Sequence, residues 1–306
     1  MTMDGGGSDA IGVYGKIGSQ PDFLRGNAGE FSHAGLDQWF QDAVEGLRNE
    51  GTAVPEVATA FLLAPGGSSS AFVGAFARSA DAAGRAFPLV VFAHVPGATL
   101  SEIFPTVTRT HDQFVHAAAN VASATEGLSG ADLVNGVQAL IQSLGRAPAA
   151  PAFGNESAQQ LLSALGGSSA ALGYALRTFC AACDQAAKTG PAAKSGVVTV
   201  DAPAPNGAVR EFWLELARRR LNWRDGAPSF LWNDGPGGRL LLTLGQPSPT
   251  ALAFLANPRH RASRFWPLRT DVAAAIDQAT KALSPEQRRL VENPGVSLGE
   301  LLSAFA

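Results

Sequence analysis

What this sequence has little of narrows it first. Charged residues make up only 16% of its 306 positions and nearly balance, at a formal charge of −3. That argues against a surface built as a whole to hold nucleic acid or anionic lipid. No apolar run approaches the ~18–20 residues that a membrane-crossing helix needs. The Val90 to Val95 run is too short and is flanked by Pro88 and Pro96. The first ten residues lack the basic start and apolar stretch of a secretory signal. With Gly5, Gly6 and Gly7 they read as a flexible arm, and the chain reads as soluble.

Cysteine is equally scarce. Cys180 and Cys183 form one C-x-x-C, and no second Cys or His pair lies nearby to complete a metal site. Leu172, Leu176 and Phe179 around them place both sulfurs on one side of an Ala-rich helix, as small packing residues. Enzyme signatures are missing too. Gly15-Lys16 is followed by Ile17, not the Ser or Thr of a phosphate loop. No G-x-G-x-x-G follows a strand, and no G-x-S-x-G elbow or H-E-x-x-H helix is found. Of the five histidines only His116, four residues after Asp112, has a spacing that starts a metal site, and two ligands do not make one. The expectation is therefore no cofactor and no metal.

What is present is texture of two kinds. Ile11–Ile17, Val57–Ala64, Ser70–Arg78 and Phe87–Val95 read as strands, and the short Pro65-Gly-Gly-Ser68 connection favours an antiparallel hairpin. Leu36, Phe40, Val44 and Leu47 recur at helical spacing over residues 34–49. Two helices are expected over residues 101–144, then a Pro/Ala linker, then one long Ala-rich helix from Ala158 to about Ala187. Strands return at Gly196–Val200, Ser229–Trp232 and Arg239–Leu244, with a helix from Val209 to about Asn222. Ser284-Pro-Glu-Gln287 and Ser297-Leu-Gly-Glu300 have the form of capping boxes, so the chain should end in small helices. Residues 11–258 are expected to form one α/β domain of the α+β type, with an Ala/Pro-rich helical insertion at about 146–190. Residues 259–306 are expected to be a helical tail.

The segment from Ser79 to Leu89 concentrates chemistry. Asp81 can accept from backbone N–H groups two or three residues on, Gly84 permits a reversal, and Arg85 is presented beside them. An Asp-capped loop and a binding surface both fit this spacing. His94 sits in an apolar run and is expected to be a core histidine. An enzyme using Asp81, Arg85 and His94 stays open as an alternative, as does an adaptor that docks a partner through its added helices. Arg218-Arg-Arg220 with Arg224, and the Arg259, Arg261, Arg264 and Arg269 set around Trp266, suit protein contact better than nucleic acid.

These residues also support a family resemblance. Gly12-Val-Tyr-Gly15-Lys16-Ile, Asp22-Phe23-Leu, Trp39-Phe40, Phe61-Leu-Leu-Ala-Pro65 and Ser79-x-Asp81-x-x-Gly84-Arg85-x-Phe-Pro-Leu89 follow one another as do the landmarks of the TagF family. Ser229-Phe-Leu-Trp232 is similar to that family's later Trp-containing strand. The match is good over residues 11–97 and loose over 209–256. The resemblance implies a largely antiparallel central sheet flanked by helices, similar to longin-like and profilin-like folds. It further implies a non-enzymatic cytoplasmic regulator of bacterial type VI secretion, acting after translation through protein contacts. A secretion component is the implied partner, with a forkhead-associated scaffold protein as the example. On this reading the motif residues Gly15, Lys16, Asp22, Phe23, Ser79, Asp81, Gly84, Arg85 and Trp232 are the candidate contact site.

Overall fold

The computed structural model describes residues 11–65, 70–96, 100–145, 151, 153–235, 237–260 and 262–306. The expected flexible arm, residues 146–150 and 152 of the Pro/Ala linker, and Arg261 lie outside the described residues. Nine strands are described: β1 (Ile11–Gly15), β2 (Leu24–Gly26), β3 (Thr59–Leu63), β4 (Ser70–Ala77), β5 (Leu89–Pro96), β6 (Val198–Pro203), β7 (Ser229–Asn233), β8 (Arg239–Leu244) and β9 (Phe265–Pro267). They form one sheet in the order β2-β1-β5-β4-β3-β7-β8-β6-β9. Every neighbouring pair is antiparallel except β6 with β9, which is parallel. A large, mostly antiparallel sheet flanked by helices is thus what the chain builds.

Both faces of this sheet are covered, which explains why its strands read as near-continuous apolar runs. Alternation along two central strands, β4 and β5, then sorts side chains by size. Ala71, Val73, Ala75 and Ala77 of β4, with Leu89, Val91, Ala93 and Val95 of β5, face one layer. Phe72 and Phe76, with Val90 and Phe92, face the other. On the aromatic side lie the helices Leu36–Asn49 and Ala251–Ala256, the former burying Leu36, Trp39, Phe40, Ala43, Val44 and Leu47. On the aliphatic side lie Asp112–Ser123, Gly130–Gln138, Ser169–Ala187 and Gly207–Leu221.

Several local expectations need correction. The single helix foreseen from Ala158 to Ala187 is two, Gln159–Ala164 and Ser169–Ala187. Gly166 and Gly167 separate them at φ +94° and +77°, a left-handed turn that ends the first helix before Ser168 caps the second. The stretch foreseen as two helices breaks into four short α-helices, because Pro105, His111 and the Gly127 turn interrupt it. The strand foreseen at 196–200 runs instead from Val198 to Pro203. Two three-residue strands, β2 and β9, had too few residues for any periodicity to register, so the segment foreseen as a helical tail begins with a strand. Both capping boxes form, Ser284 with Gln287 and Ser297 with Glu300.

The last three helices are tied into the body. Leu298 N donates to Glu156 O (2.8 Å), Gly299 N to Gly154 O (3.1 Å) and Ala158 N to Val296 O (2.9 Å). Leu290, Val291, Leu298, Leu301, Leu302 and Phe305 join the same core as Leu172, Leu176 and Phe179 of the Ala-rich helix. Phe179 in turn lies 4.7 Å from Trp213 of the Gly207–Leu221 helix.

Candidate functional site

The loop between β4 and β5 closes on itself before it does anything else. Gly84 N donates to Asp81 O (2.8 Å) and Phe87 N to Ser79 O (3.0 Å), so Ser79 and Phe87 form the base of the turn. Gly84 sits at φ +75°, where a residue with a Cβ is disfavoured. The Asp81 side chain is fully enclosed. Its Oδ1 accepts from the Ala83 and Arg85 amides at 3.0 and 2.9 Å. Its Oδ2 accepts from Lys16 Nζ at 2.9 Å and Arg85 Nε at 2.7 Å.

Four donors thus occupy the two oxygens of one carboxylate, which leaves that group no free acceptor position. Burial pushes the Asp81 carboxyl up, but the bonds from Lys16, from the Arg85 amide and guanidinium and from the Ala83 amide outweigh it. The carboxyl is held far below the usual carboxylate range. A group so firmly ionised does not shuttle protons near neutral pH.

Lys16 reaches Asp81 because β1 ends beside the start of β5. Gly15, at φ +142°, makes that approach possible: a Cβ there would lie 2.1 Å from the Pro88 carbonyl oxygen. Lys16 Nζ also lies 5.1 Å from the Phe23 ring centroid, within cation–π range. Phe23 stacks on Tyr14 at 5.3 Å and meets Phe87 edge-on at 4.8 Å. Arg85 Nη2 donates to Pro21 O at 2.6 Å, and Ala82 N donates to Gln20 O at 2.9 Å. The β4–β5 loop is thereby stitched to the segment that carries Asp22 and Phe23. Arg85 remains 59% exposed, and Asp22 is exposed with no hydrogen bond or ion pair among the described residues.

Gly15, Lys16, Phe23, Ser79, Asp81, Gly84 and Arg85 are therefore brought together, with Asp22 alongside. Trp232 is not. It is buried on β7 against the aliphatic layer, whereas Tyr14 and Phe87 lie in the aromatic layer. The Arg210 guanidinium covers it at 5.5 Å. His94 is also apart, five residues beyond Leu89 along β5, or about 17 Å at strand rise. It is half-buried and not a core histidine, with Phe72 edge-on at 5.6 Å and Glu30 at 4.0 Å.

The other candidates resolve into packing. Cys180 Sγ donates to Phe305 O at 3.5 Å, and burial pushes the Cys180 thiol up to about 11 and that of Cys183 well above its ordinary value. Arg218 and Arg219 both bond Glu215, and Arg220 bonds Asp184, so most of that basic cluster is spent internally. His116 Nδ1 lies 3.4 Å from Asp112, and no group of three His, Cys, Asp or Glu side chains suited to a metal occurs among the described residues.

Two features escaped the reading of the sequence. The letters G-x-S-x-G do occur, at Gly295-Val-Ser-Leu-Gly299, but Ser297 is the cap of the last helix, bonded to Glu300, and no strand precedes it. Arg239 is a structural hub, paired with Asp201 through two bonds of 3.0 and 2.9 Å and donating to the Phe254 and Leu255 carbonyls. A 38-residue separation leaves no local spacing by which that pair might be recognised.

No helix among the described residues is long and apolar enough to cross a membrane. No curated protein matches the chain. A solved structure described as the crystal structure of PA0076 from Pseudomonas aeruginosa PAO1 is similar at 17% identity, covering 83% of this chain and 96% of that one, with a TM-score of 0.46. The segment from residue 12 to residue 140, which carries the whole Lys16–Asp81–Arg85 cluster, matches the TagF N-terminal domain, type VI secretion system-associated.

Proposed function

We propose that the protein is a non-enzymatic regulator of type VI secretion that acts in the cytoplasm, after translation, by protein contact. The secretion association comes with the matched domain. The observation that carries the finer reading is the saturation of Asp81. A carboxylate enclosed by four of the protein's own donors organises a surface and offers no oxygen to a substrate. His94, the third member of the enzymatic alternative, stands at the far end of β5. The adaptor alternative is disfavoured as well, because the apolar face of the Ala-rich helix is spent in the core of the chain itself.

The contact surface we assign centres on exposed Asp22 and Arg85 with partly buried Phe23 next to Asp22 in the chain, held in shape by Gly15, Lys16, Ser79, Asp81 and Gly84. Exposed charges of both signs beside an aromatic residue suit a protein partner, and a forkhead-associated scaffold of the secretion apparatus is the partner the family resemblance implies. Affinity purification with mass spectrometry from the native host tests this, comparing wild type with Asp22→Lys. Asp22 is exposed and makes no hydrogen bond or ion pair among the described residues, so the variant should keep a wild-type melting curve while losing a secretion component. Equal recovery of that component by a folded variant would sink the assignment.

A further inference from the structure

A cavity of about 290 Å³ opens on the other half of the sheet, far along the chain from the TagF-matched segment. Its walls come from the loop before β6, the start of β6, the Gln246–Thr250 connection after β8 and the residue that leads into β9. Val197, Pro247, Pro249 and Phe254 supply an apolar floor. The polar lining is Lys194, Thr199, Gln246, Ser248, Thr250 and Arg264, and no Asp or Glu is among the lining residues.

Two observations give this cavity a sign. Lys194 and Arg264 make no ion pair with any described residue, so two positive charges share one concave site without an internal counter-ion. Like charges that line one concave site repel each other, and an anion between them removes that repulsion. The Ser248 and Thr250 hydroxyls lie 2.7 Å apart, so one proton bridges them and the second O–H stays available to donate. A second cavity, of about 390 Å³, makes a useful contrast. There Arg288 and Arg289 are accompanied by Glu292, which supplies the counter-charge.

Size narrows the ligand. Pockets for drug-sized molecules occupy about 300–1,000 Å³, so this one sits at the small end. A tetrahedral, doubly charged group matches two cations and a hydroxyl donor in number, with one oxygen for each. We propose that the cavity receives a phosphate monoester, its oxygens held by Lys194, Arg264 and the Ser248–Thr250 pair and its carbon end against Phe254 and Pro247. The same group is carried by small phosphorylated metabolites and by a phosphorylated side chain of another protein. The inference stands apart from the secretion reading, because the cavity uses no residue of the matched segment.

Calorimetric titration of the full chain tests it, with inorganic phosphate, phenyl phosphate, a phosphothreonine peptide and its unphosphorylated counterpart as probes. Wild type should bind phenyl phosphate saturably, and added salt should weaken the binding. The Lys194→Ala plus Arg264→Ala variant should bind about tenfold or more weakly, whereas Arg288→Ala should match wild type. Both replaced side chains are exposed, and an unchanged melting curve for the double variant excludes unfolding as the cause. A phosphopeptide that binds more tightly than phenyl phosphate supports the site with a protein source, and the reverse order supports it with a small-molecule source. No saturable binding of any phosphorylated probe, equal binding of the unphosphorylated peptide, or wild-type affinity in the double variant would each overturn the proposal.

Discussion

Replacing Asp81 by asparagine keeps the shape of the side chain but removes the charge that Lys16 and Arg85 share. Two cations would then face each other across an enclosed neutral group. Asp81→Asn should therefore unfold at lower urea than wild type. The pH dependence has a definite sign. Because the folded chain holds this carboxyl far below its ordinary value, acidification protonates it in the unfolded chain first. The wild-type advantage is full above the unfolded carboxylate value of about 4, and it shrinks as the pH falls below that toward the folded value. Urea midpoints of both proteins at neutral pH and near pH 3 measure it, with the smaller gap expected in acid. An equal gap at both values would mean that the charge contributes nothing. At this scale the sequence was informative: the Asp-capped loop was readable from Ser79-x-Asp81-x-x-Gly84-Arg85, because those bonds are local. Lys16 entered only as a motif residue of the resemblance, and its role as the second cation on Asp81 was not legible, since that bond spans 65 residues.

The Ser169–Ala187 helix shows at the scale of an element what composition does and does not disclose. Its spacing of Leu172, Leu176 and Phe179 announced an apolar face, and that face is buried. What the spacing omitted was the break at Gly166-Gly167, since Ala and Leu on both sides continue the helical texture without interruption. The buried thiols follow from the same packing. With Cys180 pushed up to about 11 and Cys183 well above its ordinary value, almost no thiolate exists at mildly alkaline pH, and thiolate is the reactive form. Iodoacetamide at about pH 8 should leave both cysteines unmodified in the folded chain and label both in urea, as read by intact mass. Rapid labelling of the folded protein would show that the helix is not seated in the core as described.

Across the whole molecule, the segment after Pro258 is as much a part of the core as any strand. It contributes Leu268, Leu283, Leu290, Val291, Val296, Leu298, Leu301, Leu302 and Phe305 to buried positions. At about 1.5–3 kcal/mol for each fully buried side chain, their sum rivals the 5–15 kcal/mol by which a domain is ordinarily stable. A chain ending at Pro258 should therefore lose its cooperative urea transition, and partner binding by that truncation would report on misfolding. A truncated chain with the wild-type midpoint would refute this. The capping boxes made the last helices visible in the sequence, but nothing local disclosed where they dock. The bonds from Val296, Leu298 and Gly299 reach back to residues 154–158, across a separation that no periodicity records.

The seam between β3 and β7 has a consequence for the birth of the chain. Three residue pairs, Ala60 with Trp232, Phe61 with Leu231 and Leu62 with Phe230, join the two halves of the sheet, and the Ser229 hydroxyl closes the end against Ala64. Even Ser229 and Ala64, the nearest in sequence, are separated by 165 residues. At a synthesis rate of ~5–20 residues per second, β3 leaves the ribosome about 8–33 s before the strand that covers its edge. For that interval the emerging first half presents an apolar strand with unmet hydrogen-bonding groups, a template for pairing with a neighbouring nascent chain. Slow translation or crowding on the same message would lengthen the exposure, and a chaperone that holds the β3 edge until β7 arrives would shorten it.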